Sequence, residues 1–93
     1  MVLRANMAWT VRWSKRSLDE LSALPKLTTA RILHKIDWFA RQPQPLRFAK
    51  PLSGLYAGVC RFRVGDYRVI FEVINSEPRV LMVLRVVPRR DAY

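Results

Sequence analysis

From residue 56 onward the chain reads "YAGVCRFRV", "YRVIFEVI" and "RVLMVLRVV", with apolar residues at every second position. A period of two is the signature of a β-strand. The first two segments are separated by "GD" at 65 and 66, a tight-turn pair, and the last two by "NSEP" at 75 to 78. Three successive antiparallel strands follow, and such a meander must bury one face against another layer. In the last two strands Val69, Phe71 and Val73 alternate with Ile70 and Ile74, and Val80, Met82 and Leu84 alternate with Leu81 and Val83. Strands apolar on both sides belong in the middle of a sheet, one face under a covering layer and the other lining a groove or an interface.

The N-terminal half supplies the cover. "AWTVRW" at 8 to 13 sets Trp9, Val11 and Trp13 against Thr10 and Arg12, a half-buried strand. Ser14 is placed to cap a helix in which Leu18, Leu21 and Leu24 recur beneath Lys15, Arg16, Asp19 and Glu20. Pro25 ends that helix, because it has no N–H for the next backbone bond. A second helix is expected from about Thr28 to Arg41, with Ile32, Ile36, Phe39 and Ala40 inward and Leu33 on the flank. "RQPQPLRFAKPLSG" then reads as an irregular linker that lays Leu46, Phe48 and Leu52 against the core edge. The expected fold is α+β: one domain over residues 1–93, order β-α-α-β-β-β, an antiparallel-rich sheet with a helical hairpin on one face. Periodicity leaves open whether the first strand lies at an edge or between others.

Composition narrows the function. Seventeen Lys plus Arg stand against seven Asp plus Glu, a formal charge of +10. Solubility requires less than this, so the excess points to a polyanion or an acidic protein as partner, against the plainer reading that some small proteins are simply basic. Cys60 and His34 are the sole members of their types. An intrachain disulfide is therefore excluded and a zinc cluster unsupported, and no metal or other cofactor is expected. No apolar run approaches the roughly 20 residues of a membrane helix, and "MVLRANMAW" lacks a signal-peptide pattern. A cytoplasmic protein without membrane association is expected.

The charge has a pattern. Arg61 and Arg63 are two apart on one strand and so emerge from one face, with Cys60, Phe62 and Val64 on the other. Arg68 follows the "GD" turn near that rim, and Arg89, Arg90 and Tyr93 follow the last strand. Guanidinium forks bind phosphate bidentately, and aromatic rings stack on single-stranded bases at about 1–3 kcal/mol each. Three readings fit these residues: phosphate binding, an acidic protein partner, or a solvated surface with Arg68 paired to Asp66 or Glu72. His34 sits in the second helix, away from the hairpin. Trp9, Trp13 and Trp38 are expected in packing, and Cys60 as a small buried hydrophobe.

From Trp9 to Tyr93 the chain resembles the RelE/ParE superfamily, the toxins of type II toxin-antitoxin pairs. "WTVRWSKRSLDELSAL" is similar to the family's opening strand and helix, and "KPLSG" at 50 to 54 to its Lys-Leu-x-Gly element with Pro51 inserted. "RFRVGDYRVIFEV" at 61 to 73 resembles its best-recognised stretch, and "RVVPRRDAY" at 85 to 93 its closing Arg-Val-Gly-His-Arg-Arg-x-x-Tyr motif. The resemblance implies, in the RelE-like branch, an endoribonuclease that cuts mRNA in the ribosomal A site without a metal. It also implies a cognate antitoxin encoded by an adjacent gene, and a higher-order complex that binds operator DNA through that antitoxin. In that branch the positions of Arg61, Arg68, Arg89 and Tyr93 form the catalytic group, and that of Arg63 is frequently basic. Lys50, Arg63 and Arg90 are taken as further RNA- or phosphate-binding residues. The chain departs from the pattern at Val59, where some members carry a lysine, and at Val87-Pro88, which replaces Gly-His and removes an imidazole able to work near neutral pH. The ParE-like branch, which opposes DNA gyrase, is the alternative, and a non-catalytic antitoxin-binding protein is a third.

Metal-free RNA cleavage proceeds by attack of the 2'-hydroxyl on the adjacent phosphorus. It needs in-line positioning, charge stabilisation on the non-bridging oxygens and a proton for the 5' oxygen. On the expected assignment Arg61 and Arg68 grip the phosphate, Arg89 adds charge, and Tyr93 stacks on a base or passes a proton. Arginine stays protonated and an ordinary tyrosine titrates near about pH 10, so no general base stands out. A slow isolated enzyme is expected, one that depends on the ribosome to orient the message.

Overall fold

The computed structural model describes residues 9–52 and 58–90. Strand β1 (Thr10–Trp13) leads into helix α1 (Lys15–Ser22) and helix α2 (Lys26–Arg41), and a 3₁₀ turn (Pro45–Phe48) precedes the two-residue strand β2 (Lys50–Pro51). Strands β3 (Val59–Val64), β4 (Tyr67–Ile74) and β5 (Val80–Pro88) complete one sheet of order β1-β5-β4-β3-β2. The expected α+β class and helical hairpin hold, and β4 and β5 lie centrally as their two-sided apolar pattern requires. The first strand is an edge, parallel to β5, with Thr10 opposite Val80 and Trp13 opposite Val83. Within the expected irregular linker, β2 adds a short outer strand, Lys50 facing Arg61 and Pro51 facing Cys60.

The core lies between α2 and the sheet. Ile32, Ile36 and Phe39 meet Phe62, Val64, Val69, Phe71, Leu81, Val83 and Val86, all buried. Phe62 stacks between Phe39 and Phe71, with centroids 4.3 and 4.4 Å apart and rings 13° from parallel on each side. Stacked aromatic pairs contribute about 0.5–1.5 kcal/mol beyond the area they bury. Trp9, Val11 and Trp13 pack at the margin of this cluster. Trp38, expected in packing, is instead 40 % exposed: it meets Phe39 and Phe48 edge-on while the Lys35 ammonium sits 4.7 Å above its ring. Leu46 and Phe48 are likewise largely exposed, and Pro45 is the residue the 3₁₀ turn buries.

The helices depart from expectation at two points. Helix α2 begins at Lys26 and not Thr28, because Pro25 serves as its N-cap; the Pro25 carbonyl accepts from the Thr29 amide at 3.0 Å. Helix α1 buries Ser17 and Leu21, whereas Leu18 is 48 % exposed. The reason is the position of α1 along β5 where β1 ends. Ser14, the N-cap, donates its amide to the Val83 carbonyl at 2.9 Å and its hydroxyl to the Leu84 carbonyl at 3.1 Å. The Ser17 hydroxyl donates to the carbonyls of Ser14 and Val83, which satisfies a fully buried polar group. Glu20 accepts from the Val86 amide and from Arg85 Nε, both at 2.8 Å. The helix thus supplies hydrogen-bonding partners to the edge of β5 that a longer β1 would otherwise have met.

Burial disfavours the charged form of Glu20, but the Arg85 hydrogen bond, the Val86 amide and the charges of Arg85 and Arg16 outweigh it and hold the carboxyl below its ordinary value. A depressed carboxylate adds stability above its unfolded-state pKa, and loses that contribution as pH falls through the folded value. Glu20→Gln is therefore expected to cost about 1–2 kcal/mol at pH 7. Thermal melts at pH 7 and pH 3 check this: the gap between wild type and variant narrows in acid.

Candidate phosphate-binding face

The β3–β4 hairpin turns at Gly65, whose φ of +58° belongs to the left-handed region that glycine enters without strain. Its register pairs Phe62 with Val69 and Cys60 with Phe71 on the helix side. Residues directly opposite share a face, so Arg63 opposite Arg68 places both guanidinium stems on the outer side. Arg61 lies two residues before Arg63 and faces Lys50 across the β2–β3 pair. Four of the expected cationic residues, Lys50, Arg61, Arg63 and Arg68, therefore stand on the face turned away from α2. Periodicity alone could not settle the hairpin register; the apolar demand of the opposite face sets the side the arginines take, and the two-residue turn at Gly65 and Asp66 sets the pairing.

The outer face is not purely polar. Ile70 and Val87 are 2 % and 4 % exposed yet lie outside the helix-facing cluster, Ile70 opposite both Arg61 and Arg85, Val87 opposite Arg68. A bulge makes this possible. Ile70 faces Arg85 and Phe71 faces Val83, leaving Leu84 as an extra residue, so Val86 joins the core and Arg85 turns to Glu20 at 2.7 Å. A strict period of two misses this shift in phase.

Arg89 continues the ladder one step beyond β5, donating its amide to the Asp66 carbonyl at 2.7 Å. This brings Arg89 and the exposed Arg90 to the hairpin tip, where Asp66, Tyr67, Pro88, Arg89 and Arg90 line a depression of about 480 Å³. Tyr93, expected beside them, lies outside the described residues, as do Ser53 and Gly54 of the Lys-Pro-Leu-Ser-Gly element. His34 is exposed on α2. Cys60 is partly buried against the core, and burial pushes its thiol above the ordinary value.

The face is rich in cations and poor in ion pairs. The ion pairs among the described residues are Lys15–Asp19, Arg16–Glu20, Arg41–Asp37 and Arg85–Glu20. None engages Lys50, Arg61, Arg63, Arg68, Arg89 or Arg90, so the expected alternative of Arg68 paired to Asp66 or Glu72 is not adopted. Arg68 Nε is buried without a hydrogen-bond partner in the described structure. An orphaned buried donor is costly, and so are like charges directly opposite on a hairpin. Among the described residues, no three His, Cys, Asp or Glu side chains gather to hold a metal ion. No described helix is long and apolar enough to cross a membrane.

The family profile described as ParE toxin of type II toxin-antitoxin system, parDE, matches residues 11–93. The chain belongs to the RelE/ParE superfamily of type II toxins. The toxin is 36 % identical over 90 residues to Toxin RelG of Mycobacterium tuberculosis, covering 94 % of this chain and 98 % of that one. Its fold matches the toxin-antitoxin complex RelBE2 of M. tuberculosis with a TM-score of 0.75 at 30 % identity, over 91 % of this chain and 95 % of the other. The archaeal RelE-RelB complex of Pyrococcus horikoshii OT3 matches at 0.71 and 33 %, over 92 % and 100 %. RelE-like structures thus stand among the strongest matches even though the family profile carries the ParE name.

Because Arg63 and Arg68 repel across the hairpin, Arg63→Ala is expected to stabilise the toxin at low ionic strength by about 0.2–1 kcal/mol. Denaturant melts in 10 mM and 500 mM salt provide the check, since screening erases most of the gain in the second.

Proposed function

We propose that the toxin is a metal-independent endoribonuclease that cleaves mRNA in the ribosomal A site. The observation that carries this reading is the opposition of Arg63 and Arg68 beside Arg61 and Lys50, with no carboxylate partner among the described residues and one buried guanidinium nitrogen unsatisfied there. A phosphodiester supplies the missing charge and acceptors together. Arg61 and Arg68 then hold the non-bridging oxygens, and their rigid forks fix the phosphate for in-line attack by the 2'-hydroxyl, whose proton passes to water or to a group of the bound ribosome. Arg89, tied to the turn through its amide, stabilises charge on the departing 5' oxygen, and Arg63, Lys50 and Arg90 bind neighbouring phosphates. Tyr93 stacks on a base or delivers the proton. The bound ribosome completes the orientation of the message, so the isolated toxin is slow. RNA-binding cations left without carboxylates call for a keeper: an antitoxin from the adjacent gene covers this face in the cytoplasm, and the resulting complex reaches operator DNA through it. The structural matches to a RelBE2 and a RelE-RelB complex support that partner.

Brief expression is expected to arrest growth and produce position-specific cuts in translated messages. Arg61→Ala, Arg68→Ala and Arg89→Ala each lower cleavage by about 10²-fold or more, read by mapping RNA 5' ends in cells. The ParE profile match favours one second reading, opposition to DNA gyrase. Intact messages alongside inhibited gyrase would establish that reading in place of the nuclease.

A further inference from the structure

One cation reaches the hairpin tip from the helix layer. Arg31, an exposed residue of α2, lays its guanidinium against Gly65: a Cβ built there would stand 3.1 Å from one terminal nitrogen and 3.3 Å from the central carbon. Gly65 is needed for its positive φ, and the Arg31 guanidinium lies over the space its missing side chain leaves. Arg31 takes part in none of the ion pairs among the described residues, whereas Lys35, one turn along, sits over the Trp38 ring. The next residue after Gly65 is Asp66, which opens the 480 Å³ depression formed with Tyr67, Pro88, Arg89 and Arg90. Tyr67 packs partly against the core, which holds its ring in place. A volume of this size lies within the range of about 300–1,000 Å³ typical of small-ligand sites.

We propose that single-stranded RNA wraps over the hairpin tip, with the nucleotide flanking the cleaved phosphate held by Arg31 at its phosphate and by Tyr67 at its base. The inference rests on the phosphate-binding reading of the outer face and extends it round the turn to the helix side. Neither residue carries a sequence signal for this role: Arg31 reads as the solvated side of a helix and Tyr67 as the first residue of a strand. Arg31 reaches the tip because α2 crosses the sheet at the level of Gly65.

The test uses the full chain and an eight-nucleotide RNA methylated at every 2'-oxygen to block cleavage, with fluorescence anisotropy over a range of salt concentrations. Arg31→Ala is expected to weaken binding roughly fivefold, and to reduce the slope of log affinity against log salt by about 0.7, the loss of one single-strand phosphate contact. Arg31→Lys restores the slope. Tyr67→Leu, which keeps the apolar packing, weakens binding with the slope unchanged, because stacking is sequence-tolerant and not ionic. Thermal melts of each variant separate lost binding from lost folding. Wild-type affinity and slope in Arg31→Ala, with binding lost in Arg68→Ala, would overturn the tip subsite and leave the outer face standing. Unchanged binding in both variants would overturn the phosphate-binding reading itself, and the tip subsite with it.

Discussion

The stack of Phe39, Phe62 and Phe71 is the contact on which the rest of the structure depends. It joins the centre of the β3–β4 hairpin to α2 and fixes which side of the hairpin each residue takes, while the two-residue turn between Val64 and Tyr67 sets the pairing. A slip of one residue would turn Phe62 and Val64 to the outside and bring Arg61 and Arg63 under the helix. Burying two unpaired guanidinium groups there costs far more than any alternative turn geometry could return. The arginines are thus held outward by the aromatic residues between them, and Gly65 closes the turn without strain.

The far side of the sheet solves a different problem. Strand β1 is four residues long, while β5 runs for nine, so half of the β5 edge has no strand partner. Helix α1 completes that edge with side chains: the hydroxyls of Ser14 and Ser17 donate to the carbonyls of Leu84 and Val83, and Glu20 accepts from the Val86 amide. The bulge at Leu84 belongs to the same arrangement, since it sends Arg85 to Glu20 and Val86 to the core. This anchoring steadies the strand that ends at Arg89, and the Arg89–Asp66 backbone bond then ties its end to the hairpin.

Acidic residues are few, and their placement matters as much as their number. Asp19, Glu20 and Asp37 pair with cations on the helices or with Arg85, so that among the described residues on the outer face of β2, β3 and β4 Glu72 alone stands against Lys50, Arg61, Arg63 and Arg68. A +10 chain tolerates this only by accepting repulsion where Arg63 meets Arg68.

Much of the architecture was legible in the residues. Alternation located β3, β4 and β5, the two-sided apolar pattern placed β4 and β5 centrally, and Arg61 and Arg63 shared a face because strand geometry repeats every two residues. Other features carried no local signal. Leu18 looked like core because its spacing fits a helix stripe, yet α1 meets a strand edge whose backbone calls for Ser17 and Glu20. The bulge at Leu84 broke the period that identified its own strand. What the sequence alone determined is the two helices, the strands β1, β3, β4 and β5, and the side taken by each residue of β1, β3 and β4, since these follow from short-range periodicity. Only the tertiary structure decided that Arg63 faces Arg68, that Arg89 returns to Asp66 and that Arg31 rests on Gly65, because each of these depends on register and packing between segments distant in the chain.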